Sequence, residues 1–283
     1  MHNEILVLAD LSNHAHKGTH AYKGLTSGQT FTGGLYGFLI AMSKTIKETG
    51  ATRLIVGADS KPYQRSKEFP GYKGDRKKKE YTEEDELILR GVRQTESLIR
   101  ELCNCLGIPV WEVAGFEYDD LVGHTVRKYR CRFASILAST SDSDLYQLFY
   151  ATNFALHKGK NGLYQRKDFR SEWEGISPKD YIRVLALMGT HNGVPGVDRV
   201  GPKTAIKAVQ GDTKFAQLFE QHKATVERNL PLIELPHAKF PYREELPPKQ
   251  TMRDPIRALY KFAGFYDIEV TNAMATAFEQ VLT

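Results

Sequence analysis

Short apolar runs and longer amphipathic ones alternate along the first two thirds of the chain. Residues 5–8, 54–56, 110–113 and 136–137 are dominated by Val, Ile and Leu. They are too short for helices, end in polar residues, and read as buried strands. Between them, residues 35–47, 83–106 and 121–130 place apolar side chains at helical spacing. In the second of these, Leu87, Val92, Leu98 and Leu102 recur among charges. This alternation predicts an open, mainly parallel α/β sheet with helices on both faces. In such sheets ligands gather at the carboxyl ends of the strands.

Acids follow every one of these strands. Residues 5–8 lead to Asp10, 54–56 to Asp59, and 136–137 to Asp142 and Asp144. Residues 110–113 lead through Gly115 to Glu117, Asp119 and Asp120. A single acid after a strand is usually a loop residue or a helix cap. A whole set on one sheet edge is different, because converging carboxylates repel unless cations neutralise them. The set points to a divalent-metal site.

Past residue 176 the texture changes. Ser177-Pro178 opens a helix over 179–188. A glycine-rich stretch from Gly189 to Gly201 follows, and Pro202-Lys203-Thr204-Ala205 starts a second helix to about 209. This is a helix–hairpin–helix pattern, whose exposed backbone amides can hold a phosphate. An ordinary capped helix pair would look similar. Residues 230–248 are proline-rich and read as irregular, and 255–283 carry two further helical patterns.

Composition narrows the class. The 283 residues are 41% hydrophobic and 26% charged, enough to bury a core and to exclude a disordered chain. The apolar runs fall well short of a membrane span, and the first ten residues lack the features of a secretory signal. Cys103, Cys105 and Cys131 form no C-x-x-C pair, which argues against a disulfide framework or zinc site and fits the cytoplasm. A net charge of +5 permits a nucleic-acid partner without requiring one. Its distribution says more. Residues 61–79 hold the densest cation cluster, with Tyr63, Phe69 and Tyr72 interleaved and Tyr81 following. Cations neutralise phosphates and aromatics stack on bases. Charge runs are usually solvated loops, but this one lies beside the acidic edge, where a cover over an active site would lie.

In this order the motifs resemble the 5′-nuclease (flap endonuclease) family, which comprises bacteriophage 5′ exonucleases and the 5′-nuclease domain of bacterial DNA polymerase I. Tyr72-Lys73-Gly74-Asp75-Arg76 is similar to the family's Y-K-x-x-R, and Glu117-Tyr118-Asp119-Asp120 to its E-A-D-D. Ser139 to Leu148 is similar to S-x-D-x-D-x-x-Q-L. Val194-Pro195-Gly196-Val197 and Gly201-Pro202-Lys203-Thr204-Ala205 are similar to I-P-G-V and G-P-K-T-A. The resemblance covers roughly residues 4–210. It implies a PIN-like parallel-sheet nuclease core over 1–175 with a helical arch at about 61–105. A helix-three-turn-helix DNA-binding element and C-terminal helices would fill 176–283.

The resemblance also implies chemistry. Phosphodiester hydrolysis by Mg2+, with Mn2+ as a substitute, would use Asp10, Asp59, Glu117, Asp119, Asp120, Asp142 and Asp144 as metal carboxylates. Asp10 and Asp142 are central to catalysis in this reading, with Lys73 and Arg76 steering the scissile phosphate. Lys17, Lys73, Arg76, Gly196, Gly201, Lys203 and Thr204 would contact DNA. The substrate would be DNA with 5′ flaps or 5′ ends, or an RNA–DNA hybrid, bound by a monomer without a polymerase domain.

The chain also departs from the family. The segment G-D-x-x-D-N-I-P-G-V is one residue shorter here, with Thr190 and Asn192 nearest the absent acids, which weakens the second metal site. Arg199 replaces the first glycine of the G-I-G turn and weakens a K+ site there. His14, His16 and His20 read as substrate-facing or exposed rather than as ligands. A different class, a branched-DNA-binding protein with weakened catalysis, is the competing reading. A small PIN-like ribonuclease is disfavoured by the helix–hairpin–helix region.

Overall fold

The computed structural model describes residues 3–74, 81–190, 193–215 and 217–283. β1 (Ile5–Asp10), α1 (Leu11–Ala21), the short strands β2 (Thr26–Ser27) and β3 (Thr30–Phe31), α2 (Gly33–Thr49), β4 (Arg53–Ala58), α3 (Gln64–Glu68), α4 (Glu83–Leu106) and β5 (Val110–Glu112) come first. There follow α5 (Tyr118–Tyr129), β6 (Ser135–Ser139), a 3-10 helix (Ser143–Tyr150), β7 (Phe154–His157), β8 (Leu163–Tyr164) and α6 (Arg166–Glu172). The rest is helical: α7 (Pro178–Met188), α8 (Pro202–Val209), α9 (Leu218–Gln221), α10 (Lys223–Ile233), α11 (Pro255–Phe265) and α12 (Asn272–Leu282).

The main sheet runs in the order β5-β4-β1-β6-β7-β8, parallel through β7 with β8 antiparallel at the edge. Central β1 pairs Ala9 with Val56 on one side and Ser139 on the other. Leu6 to Ala9 are wholly buried, so the strand is apolar throughout, as burial on both faces requires. Leu6 and Leu8 join a core with Leu121, Phe149, Phe169 and Tyr181. Val7 and Ala9 join the opposite core with Leu11, Phe38, Ile99 and Phe278.

Local signals account for the helix ends. Thr82 and Asp85 form a capping box at the start of α4, and Gly107, at φ 66°, closes it in the left-handed region. Leu87, expected on the buried stripe, is instead 65% exposed in the first turns. α1 was not expected from its polar composition. Asp10 starts it by accepting from the Asn13 amide at 3.0 Å. Gly18 lets α1 approach α2 so closely that a Cβ there would lie 2.6 Å from the Gly34 carbonyl oxygen. His14 departs from expectation as well. It is buried, with Nε2 3.0 Å from both the carbonyl and the hydroxyl oxygen of Ser139. Burial, helped by the Lys17 charge, lowers its pKa to about 4, so it is a neutral core residue. His16 and His20 are exposed.

Residues 234–254, between α10 and α11, are irregular as expected, although 230–233 belong to α10, and the segment is packed. His237, Phe240 and Leu246 are buried against α5. The turn after α7 is tied by a Gly189–Pro195 bridge, and buried Asn229 of α10 donates to the Ala186 and Pro195 carbonyls, each at 2.9 Å. Among the described residues no helix is long and apolar enough to cross a membrane.

Candidate active site

The carboxyl edge of the sheet gathers the acids. Asp10 ends β1 and also accepts from the Thr140 hydroxyl at 3.2 Å. Asp59, just past β4, accepts from the Tyr63 hydroxyl and the Tyr118 amide, both at 2.9 Å. Asp142 follows β6 and caps the 3-10 helix by accepting from the Asp144 amide at 2.8 Å. Glu117 caps α5, and Asp119 occupies its first turn, beside the positive end of the helix dipole.

These groups feel one another. Burial, with Asp59 and Asp142 adding to it, pushes the Asp10 carboxyl up to about 7. Asp119 is raised well above the carboxylate range, first by burial and then by Asp142, Glu117, Asp10 and Asp144. Among the described residues no group of three or more His, Cys, Asp or Glu is placed to hold a metal ion as it stands. Even so, the donor set suits a hard divalent cation. It is all oxygen, and a nearby double positive charge would oppose the burial and repulsion that raise Asp10 and Asp119. Magnesium keeps several of its waters, so an ion there needs few direct carboxylate ligands.

Asp120 is not part of this gathering. It is fully buried and takes the guanidinium fork of Arg65 at 2.6 and 2.8 Å, the His237 amide at 2.7 Å and the Glu117 amide at 3.2 Å. The reason is helical geometry: neighbours on a helix point about 100° apart, so Asp119 and Asp120 cannot face one site. Glu117 is divided between roles. One oxygen accepts from Arg65 at 3.1 Å and Tyr72 at 2.8 Å, and the other is ion-paired with Lys73.

Lys73 also lies over the Tyr63 ring at 4.9 Å, and its backbone takes the left-handed φ of 54°. Arg76 and Asn192 lie outside the described residues. Lys17 is exposed on α1 near Asp10, which offsets part of the lowering that desolvation imposes on its pKa. Gly201 caps α8, with Lys203 exposed and Thr204 half-buried in the first turn. Gly196 has a packing role, since a Cβ there would lie 2.2 Å from the Met188 carbonyl carbon. Arg199 keeps the left-handed φ, at 60°, that glycine adopts most cheaply. A cleft of about 740 Å³ runs from Asp144 past Trp173, Tyr181 and Thr190 to Gly201 and Pro202, linking the acid cluster to the start of α8.

Charge alone hid Arg65, which holds the acids in place with Tyr63 and Tyr72, and these two tyrosines, expected to stack on bases, are buried instead. Arg65 looked like one more cation in an exposed run. The available signal was the E-x-x-D spacing of Glu117 and Asp120, a capping-box pattern that marks Asp120 as local structure.

One pH dependence follows. A metal must displace protons, and Asp10 titrates near 7. Magnesium affinity should therefore rise with pH, with the part of the rise between about 6 and 7 belonging to Asp10. Calorimetric titrations at pH 5.5 to 8.5 test this. In Asp10→Asn the rise between 6 and 7 should flatten; an unchanged profile would remove Asp10 from the site.

Residues 5–174 match the 5′-3′ exonuclease N-terminal, resolvase-like domain, and the chain belongs to this family. A thermostable DNA polymerase I of Thermus aquaticus is 30% identical over 207 residues, 72% of this chain and 24% of that protein. A 5′-3′ exonuclease of Aquifex aeolicus is 27% identical over 208 residues, 72% of this chain and 68% of that protein. The chain thus spans about a quarter of the length of the polymerase relatives it matches. Zinc-bound T5 5′-exonuclease superimposes with a TM-score of 0.70 at 18% identity, over 99% of this chain and 98% of that one. The catalytic core of Rad2 in complex with DNA substrate gives 0.58 at 14% identity, over 93% and 88%. The fold is that of the PIN-like nucleases, a mainly parallel sheet between helical layers.

Proposed function

We propose that the protein is a metal-dependent 5′ nuclease that hydrolyses phosphodiester bonds in DNA at 5′ ends and 5′ flaps, including flaps begun by an RNA primer. The observation that carries this reading is the convergence of Asp10, Asp119 and Asp142 at one sheet edge, where burial and mutual repulsion raise Asp10 and Asp119. Asp10, Asp119, Asp142 and Asp144 would hold the cation, Mg2+ or Mn2+, with Asp59 and Glu117 behind them. When bound, the ion supplies Lewis-acid polarisation of the phosphate and a more acidic water. Lys73 offsets charge on the scissile phosphate, and Lys17 holds a flanking one. The amides at Gly201 and the start of α8, with Lys203, grip the duplex backbone. Thr190 and Asn192 bring only neutral oxygens to a second ion, so that ion binds more weakly than the first. The turn around Arg199 is the place to look for K+.

A labelled 5′-flap substrate, incubated with magnesium or manganese and compared with binding in calcium, tests the reading. Cleavage near the flap junction is expected with either metal. Tight binding without cleavage at any metal concentration would instead support a branched-DNA-binding protein.

A further inference from the structure

Arg65 belongs to the densest cation run in the chain, yet it is only 3% exposed. Its guanidinium is fully used. Beyond the fork on Asp120 and the bond to Glu117, Nε donates to the Leu232 carbonyl at 2.8 Å and Nη2 to the Glu234 carbonyl at 3.2 Å. One side chain therefore ties α3, the first turn of α5, and the chain leaving α10. Stability alone gives little reason for this, since a buried ion pair is often no better than an apolar replacement of similar volume. Its position gives a better reason. Arg65 grips Glu117 and Asp120, the residues on either side of the turn that carries Asp119, and the other Glu117 oxygen pairs with Lys73.

We infer that Arg65 is a positioning residue for cleavage, fixing the rotation of the first turn of α5 and hence the places of Asp119 and Lys73 at the scissile phosphate. This rests on the reading of the site as a metal-dependent nuclease. Lysine would keep the charge but could not form the fork, so Arg65→Lys should loosen the turn without removing the cation.

The test uses the full chain as wild type, Arg65→Lys, and the double variant Arg65→Met/Asp120→Leu, which removes the ion pair as a unit. Four quantities are measured: melting temperature, affinity for flap DNA in calcium, magnesium affinity by calorimetry, and single-turnover rate against magnesium concentration. For Arg65→Lys, DNA affinity should stay within about two-fold of wild type. Its rate and its magnesium affinity should each fall about 10- to 100-fold, the range for groups that orient metal ligands. The double variant leaves the His237 and Glu117 amides without their acceptor, so it should melt below wild type, and at temperatures where it is folded it should keep the low rate and weak magnesium binding. Recovery of rate and magnesium affinity together would overturn the inference, leaving Arg65 a charge partner only. Should Arg65→Lys fail to fold, the double variant alone decides. A wild type that neither binds magnesium nor cleaves would instead bring down the nuclease reading, with this inference falling alongside it.

Discussion

Asp119→Asn should abolish metal-dependent cleavage and, in chelator, raise the melting temperature. Asp119 is half-buried, and desolvation, then the charges of Asp142, Glu117, Asp10 and Asp144, hold its carboxyl well above the usual range. A carboxyl raised on folding binds its proton more tightly in the native state. The native state is therefore favoured at low pH and loses stability as pH climbs from the unfolded value near 4 towards the folded one. Asparagine keeps the shape without the charge and removes that loss. The gain should be small at pH 4 and larger at pH 8; about 1 kcal/mol corresponds to roughly 2–4 °C in a chain of this size. The same change takes a charged oxygen ligand from the cation, and cleavage should drop to background while flap binding in calcium persists. Thermal melts in chelator at both pH values, together with a cleavage assay, decide the matter. A variant that melts lower at pH 8, or cleaves near the wild-type rate at saturating magnesium, places Asp119 outside the site.

Lys73→Ala should slow single-turnover cleavage by about 10²- to 10³-fold, with flap affinity reduced only a few-fold. Removing one group that meets developing transition-state charge typically costs about 3–4 kcal/mol, whereas one phosphate contact contributes far less to binding. In the free protein the Lys73 ammonium is held against Glu117 and over Tyr63. That arrangement orders the side chain before substrate arrives, so little conformational entropy is left to lose at the reaction step. Rapid-quench measurement of the bound complex separates the alternatives. A variant that binds poorly yet cleaves at the normal rate once bound would make Lys73 a docking residue.

The readable parts of the sequence were those whose signals are local. α4 follows 83–106 because a capping box, an amphipathic stripe and a closing glycine agree. The strands before Asp10, Asp59 and Asp142 follow from apolar runs that end in acids. α1 was hidden because, after Leu11, its buried face is built from small residues and a histidine, with Gly18 and His14 doing what Leu would usually do. β7 and the edge strand β8 were missed because both are short. The acid cluster was legible as a set, and the E-x-x-D spacing set Asp120 apart from Asp119, but the anchoring of Asp120 was not legible. It depends on Arg65, 55 residues away, and on His237, 117 residues away. Side chains that meet only through tertiary folding leave little trace in spacing.

The core against α1, α2 and α4 is completed from the far end of the chain. Phe278 and Leu282 of α12 are buried in it, Gln280 donates to the Ala51 carbonyl at 2.7 Å, and Leu259 of α11 fills the space beside them. A chain emerging from the ribosome therefore leaves the apolar face that α11 and α12 cover, on α2, α4 and β4, open until residues 255–282 have been made. At synthesis rates of about 5–20 residues per second, that face stays uncovered for roughly ten seconds or more after the first strands form. This interval is when the protein is most open to aggregation and to chaperone capture. The helices farthest in sequence from the acids thus finish the core behind the sheet that carries them.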